Sequence, residues 1–117
     1  MNRVLIISAT TGNNLTLAKK IGDLFNLKND IITLEDFIMP LYIPNIQNSN
    51  NSSIKKLSNK FIKSDGLVFC APEYNGGSPP ILTNTITWLS VTTSNWRYLF
   101  FNKKALIATH SGGGGSR

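Results

Sequence analysis

Four short apolar runs alternate with segments of a different periodicity, and that alternation constrains this chain more than anything else in it. The runs are "RVLIIS" at 3–8, "DIITLEDF" at 30–37, "GLVFCA" at 66–71 and "KALIATH" at 104–110. Short stretches rich in Val, Ile and Leu suit strands buried on both faces. Between them, Leu15, Ala18, Ile21 and Phe25, with Leu17 and Leu24 alongside, recur at helical spacing over 13–26. Ile54, Leu57 and Phe61 do the same over 53–63, and Leu82, Ile86 and Leu89 over 79–91. The order β-α-β-α-β-α-β predicts an α/β fold with parallel strands, right-handed crossovers and helices on both faces of the sheet.

A length of 117 residues suits a single domain. The polar stretch "PNIQNSNNSS" at 44–53 reads as a surface loop within it. With 41% hydrophobic and 15% charged residues, the chain can bury a core and is no disordered tail. The N-terminal run "VLIISA" is too short for a signal peptide's apolar region or a membrane span. One cysteine allows no internal disulfide and fits a reducing cytoplasm. No CxxC or HExxH spacing suggests a metal site. The net charge is +6, but the basic residues are scattered, mostly as pairs such as Lys19–Lys20, Lys55–Lys56 and Lys103–Lys104. That pattern is a solvated surface, not a nucleic-acid face with interleaved aromatics.

In parallel α/β sheets, ligands bind outside the carboxyl ends of the strands. Three segments fall there: "SATTGNN", "APEYNGG" and "HSGGGG". In the first, Thr10, Thr11, Asn13 and Asn14 offer side-chain donors and Gly12 permits a tight turn before a helix N-terminus. Such a loop serves as a phosphate cradle or as an ordinary helix cap. It is not a Walker motif, and GxGxxG is absent. In the second, Gly76 and Gly77 permit positive φ and expose N–H groups that suit the carbonyl oxygens and ring nitrogens of a planar heterocycle, with Tyr74 against the ring. The alternative is a tight turn with a surface tyrosine. Ser78 is placed to cap the next helix, with Pro79 and Pro80 in its first turn. Cys70 and His110 end strands expected to be neighbours, but Cys70 reads as a small core residue and His110 as a loop residue. "WRYLFF" at 96–101 packs the third helix to the fourth strand, or lines the pocket or a dimer contact.

The stretch "APEYNGGSPPILTNTITWLS" closely resembles the "PEYNGSxPxxLKNxxDWLS" signature of the NAD(P)H-dependent FMN reductases. That family is flavodoxin-like and includes azo-dye, quinone and chromate reductases. The resemblance extends to "FIMPLYIPN" at 37–45, similar to the family's "LPLYxxD", and to "SDGLVFCAPEYNGG" and "KKALIATHSGGGG". It implies a doubly wound sheet of order 2-1-3-4-5, bound FMN, and NADPH or NADH as electron donor. Electrons would pass to a small-molecule acceptor: a quinone, an azo compound, free flavin or a metal oxyanion. It places Pro72, Glu73, Tyr74, Asn75, Gly76 and Gly77 around the isoalloxazine, and Ser111 and Gly112 at the ring from the fourth strand. Ser8, Thr10, Thr11, Gly12, Asn13 and Asn14 would meet the phosphate. The helix over 79–91 would pack a second subunit in a homodimer or homotetramer. No side chain need be catalytic, because the cofactor carries the chemistry.

Three departures accompany the resemblance. "SATTGNN" stands where many members have "GSxRxxS", and is closer to the "TxTGNT" loop of flavodoxins. That supports an alternative, an FMN-binding electron carrier without NAD(P)H oxidation, although such carriers are typically acidic. Thr87 replaces the signature's aspartate, which removes that carboxylate from the subunit contact. Family members continue through another helix, a fifth strand and a final helix, so these are expected to be missing here. "GGGGSR" is then either the family's glycine loop or a linker.

Overall fold

The computed structural model describes residues 3–45, 52–92 and 96–112. Its strands are β1 (Arg3–Ser8), β2 (Lys28–Thr33), β3 (Gly66–Cys70) and β4 (Lys104–Ala108). All neighbours pair in parallel, in the order β2-β1-β3-β4. The helices are α1 (Asn13–Leu24), α2 (Ser52–Lys63), α3 (Pro80–Thr92) and the short α4 (Arg97–Phe100). The alternation in the sequence thus yields the parallel α/β arrangement it predicted, in the flavodoxin-like strand order that the resemblance implied.

Side chains alternate across a strand, so β1 feeds two cores. Val4 and Ile6 join Val68 and Cys70 beneath Ala18 of α1, with Leu17, Ile21 and Phe25 around them. Leu5 and Ile7 join Leu67 beneath Ile54, Leu57 and Phe61 of α2 and Trp88 and Leu89 of α3. Gly22 lets α1 approach β2 closely: a Cβ there would lie 2.8 Å from Ile31 Cδ1. Leu24 falls off the buried stripe and is 82% exposed.

Several local expectations are corrected. The run at 30–37 is not one strand: β2 begins at Lys28 and ends at Thr33, and Leu34–Asp36 forms a 3-10 turn. The Thr33 hydroxyl accepts a hydrogen bond from the Glu35 amide (3.3 Å), which turns the chain there. The third strand stops at Cys70 and the fourth at Ala108. Ser78 does not cap α3; its hydroxyl meets that of Thr83 (2.8 Å). The Pro79 carbonyl instead accepts from the amides of Leu82 and Thr83, and Pro80 opens the helix, where its missing N–H does no harm.

The buried face of α3 is Thr85, Trp88 and Leu89, while Leu82 and Ile86 are only partly covered. The strap after β2 explains this rotation. Trp88 Nε1 and Asn84 Nδ2 both donate to the Pro40 carbonyl (2.6 and 3.0 Å), and the Tyr42 amide donates to Asn84 Oδ1 (2.8 Å). "WRYLFF" joins the core through the short α4. Leu99 is buried and the Phe100 ring lies 5.5 Å from that of Phe61, so α4 docks on α2. Lys103 reinforces this by donating to the Phe61 carbonyl. The larger part of the polar loop at 44–53 and the residues after Gly112 lie outside the described residues.

Candidate functional site

The first two segments singled out in the sequence, and the described start of the third (110–112), meet at the carboxyl edge of the sheet. Hydrogen bonds beyond the strand ends hold them in line: the Ala9 amide donates to the Cys70 carbonyl (2.9 Å), and the Ala71 amide to the Ala108 carbonyl (3.2 Å). Asn14 adds a longer stitch. Its amide group donates to the His110 carbonyl (3.3 Å), and its Oδ1 accepts from the His110 amide (3.0 Å). At 3% exposure, Asn14 clamps the first turn of α1 to the chain leaving β4 and faces away from solvent. Ser8 is likewise buried, and its hydroxyl donates to the Thr10 carbonyl (2.6 Å), shaping the loop from below.

Thr11, Gly12 and Asn13 are exposed and Thr10 is partly so. No side chain caps the N-terminus of α1, and its first turn holds no acid. The positive end of the helix dipole therefore faces outward, a setting that favours an anion. The space a Cβ would fill at Gly12 is open, so a ligand can come close to the backbone. One anion is already there: the Thr11 amide donates to a carboxylate oxygen of Glu35, from the 3-10 turn after β2.

The second loop is a two-residue hairpin turn. Tyr74 and Gly77 exchange backbone hydrogen bonds of 3.0 Å each, and the central residues Asn75 and Gly76 have φ of 53° and 80°. Two left-handed central residues define the type I′ turn, for which Asn-Gly is the favoured pair. The expectation of positive φ at both glycines is therefore shifted by one residue, to Asn75 and Gly76. The exposed donors expected there are also engaged: Gly76 N–H donates to Glu73 Oε2 (2.7 Å) and Gly77 N–H to the Tyr74 carbonyl. Tyr74 projects from the turn, half exposed. Beside it runs a largely apolar groove of about 530 Å³ lined by Phe69, Ala71, Pro72, Leu82, Ile86 and Ile107. Ser111 and Gly112 continue from β4 at the same edge, Ser111 partly buried and Gly112 exposed.

Cys70 is buried, and burial pushes its thiol up from the ordinary value. That is the opposite of an activated nucleophile, which needs a lowered pKa in an electropositive setting. Among the described residues, no cluster of His, Cys, Asp and Glu could hold a metal ion, and no helix is long and apolar enough to cross a membrane.

Two features went unrecognised in the sequence: the Asn14 clamp and the carboxylate of Glu35 on the first loop. The sequence carries no signal for Glu35: its contact follows from the parallel register that pairs Ser8 with Thr33 and so brings the two following loops side by side.

A parallel 2-1-3-4 sheet with an open helix N-terminus and a glycine hairpin at its carboxyl edge defines a flavodoxin-like protein. The fold is shared with the flavoenzyme NAD(P)H:(acceptor) oxidoreductase FerB of Paracoccus denitrificans, at a TM-score of 0.77 and 22% identity, covering 97% of this chain and 63% of that one. The chain belongs to the NADPH-dependent FMN reductase family, whose profile matches residues 2–117. Among its relatives, an FMN-dependent NADH:quinone oxidoreductase of Clostridium perfringens is 31% identical, covering 97% of this chain and 71% of that protein. An NADPH azoreductase of a Bacillus species is 27% identical, covering 96% and 60%. This chain thus spans roughly three fifths to seven tenths of the length of these relatives.

Proposed function

We propose that the chain is a single FMN-binding domain that takes electrons from NADPH or NADH and passes them to a small acceptor such as a quinone or an azo compound. One observation carries this reading: an uncapped helix N-terminus, a type I′ hairpin and an apolar groove lie together at the carboxyl edge of the sheet. The first suits a phosphate. The other two offer a flat, mostly apolar seat with polar backbone at its rim, which suits a heterocycle.

The chain's own residues would bind and orient. Thr10, Thr11 and Asn13, with the backbone amides that open α1 ahead of Leu15, would hold the phosphate; Gly12 lets its oxygens approach. Ser8 and Asn14 would act indirectly, by fixing the loop from beneath. Pro72, Glu73, Tyr74, Asn75, Gly76 and Gly77 would bracket the ring, with Ser111 and Gly112 approaching from β4. FMN, when bound, supplies the electron-transfer chemistry, and no acid or base from the protein is required. The strap latched to α3 exposes Ile38, Leu41 and Ile43, which supports a homodimer or homotetramer through α3 and its strap. The single cysteine, unpaired, suits a cytoplasmic setting.

The test is a pair of measurements on the purified chain: the absorbance band of bound FMN, and NAD(P)H consumption with a quinone present. Both are expected. A chain that binds FMN without consuming NAD(P)H is the electron carrier that the "ATTGNN" loop also suits. A chain that binds no flavin removes the reading.

A further inference from the structure

The Thr11 amide points a donor into the open loop, and a carboxylate from elsewhere in the chain receives it. We propose that Glu35 is an internal stand-in for the flavin phosphate: it holds the loop in the ligand-free chain and must withdraw when phosphate enters, so the site favours an exchangeable flavin over a permanently held one. The proposal rests on the phosphate role given above to the 10–13 loop.

The geometry is built in, not incidental. Ser8 and Thr33 are register partners at the ends of adjacent parallel strands, and two residues beyond each lie Thr10 and Glu35. The Thr33 hydroxyl fixes the Glu35 amide, so the 3-10 turn presents this side chain towards the loop. The bond reaches across 24 residues of chain, unlike the bond from Gly76 to Glu73, which is local to its hairpin. Glu35 is exposed, so its carboxylate can rotate into water without uncovering a core.

Charge makes the competition one-sided. A phosphate monoester carries close to two negative charges at neutral pH. One N–H cannot serve that group and a carboxylate together, and the two anions repel. No Lys or Arg occurs in residues 8–14 to offset the repulsion. Asp36, beside Glu35, adds to the negative charge. Riboflavin, which has the same ring and no phosphate, is not subject to this competition.

The experiment compares the unmodified chain with Glu35→Gln and Glu35→Ala, measuring affinity for FMN and for riboflavin by flavin fluorescence at low and high salt. Removing one charge about 4 Å from another in a water-like setting is expected to tighten FMN roughly fivefold. Riboflavin should change less than about twofold, and the gain for FMN should shrink as salt screens it. An FMN affinity that is unchanged or weaker in Glu35→Gln overturns the proposal, as does a gain equal for both flavins. A chain that binds neither flavin defeats the flavin reading alone. The stand-in role is then decided by titrating inorganic phosphate against the Thr11 amide resonance. Saturation at lower phosphate in Glu35→Gln supports it, and saturation at the same concentration overturns it.

Discussion

In β1, Val4, Leu5, Ile6 and Ile7 are each at most 2% exposed, whereas in β4 Leu106 is 49% and Ile107 81% exposed. The two runs, "VLII" and "ALIA", are close in apolar character and both pair in parallel. Their surroundings differ because their places in the sheet differ. β1 has a strand on each side, α1 on one face, and α2 and α3 on the other. Among the described residues, β4 has β3 on one side only. The apolar core beneath α1 reaches only as far as Ala108, and α4 lies on α2 instead of over β4. An apolar run therefore records what a strand is able to bury, while the topology decides what it does bury. The consequence is functional, because the less supported strand leads into Ser111 and Gly112 and lends Ile107 to the groove beside the hairpin.

The strongest way to break this contrast is to shave the same side chain in both strands. Ile6→Ala should cost about 2–5 kcal/mol, since it empties a closely packed site between Ile31 and Val68. Ile107→Ala should stay within about 0.5 kcal/mol, as surface changes do. Urea unfolding of both variants decides it. Similar losses would mean that β4 is covered in solution by another chain.

Asn14→Ala is the next largest effect. It removes both bonds to the His110 backbone and leaves a buried void at the start of α1, for a loss of about 1–3 kcal/mol. Hydrogen exchange should quicken more at the His110 amide, which loses its bond to Asn14, than at the β1 amides. Protection of His110 that is unaltered in the variant would show that the end of β4 is held by something else.

The legible part of the fold was what periodicity encodes. The core positions of α2 (Ile54, Leu57, Phe61) and the identities of the strands could be read directly. The rotation of α3 could not, because it depends on the Pro40 carbonyl accepting from Trp88 and Asn84 across more than 40 residues. For the same reason the site was legible as a set of loops but not as a set of roles. "SATTGNN" and "EYNGG" are visibly suited to close backbone approach. That Asn14 is spent on His110, and that Glu35 reaches Thr11, follows only from which strands lie side by side.

A smaller effect concerns association. Among the described residues no strand pairs with the outer edge of β4, which is flanked by the exposed Leu106 and Ile107, a surface that invites pairing with another strand. Ile107→Lys should reduce concentration-dependent association in sedimentation runs, with stability within about 0.5 kcal/mol of the unmodified chain. Association that persists undiminished would assign it to another surface, such as the strap and α3.

The smallest effect sharpens the contrast at the boundary between the two regions. Cys70 pairs with Ser8 of β1 and Ala108 of β4, and burial holds its thiol above the ordinary value of 9.0. As pH rises past that ordinary value, the unfolded chain loses the thiol proton while the folded chain keeps it. The folded state then binds more protons than the unfolded state, so stability falls with rising pH across that window. Lys103 acts in the opposite sense: burial lowers its pKa, partly offset by Asp65, so its unfolded form keeps the proton longer and stability rises with pH. Cys70→Ala removes only the first contribution. Its unfolding free energy should therefore decline less than that of the unmodified chain between about pH 8 and pH 10, around the ordinary thiol range. Parallel pH profiles for the two proteins would mean that water reaches Cys70 in solution, and hence that the weak support of β4 extends inward to β3.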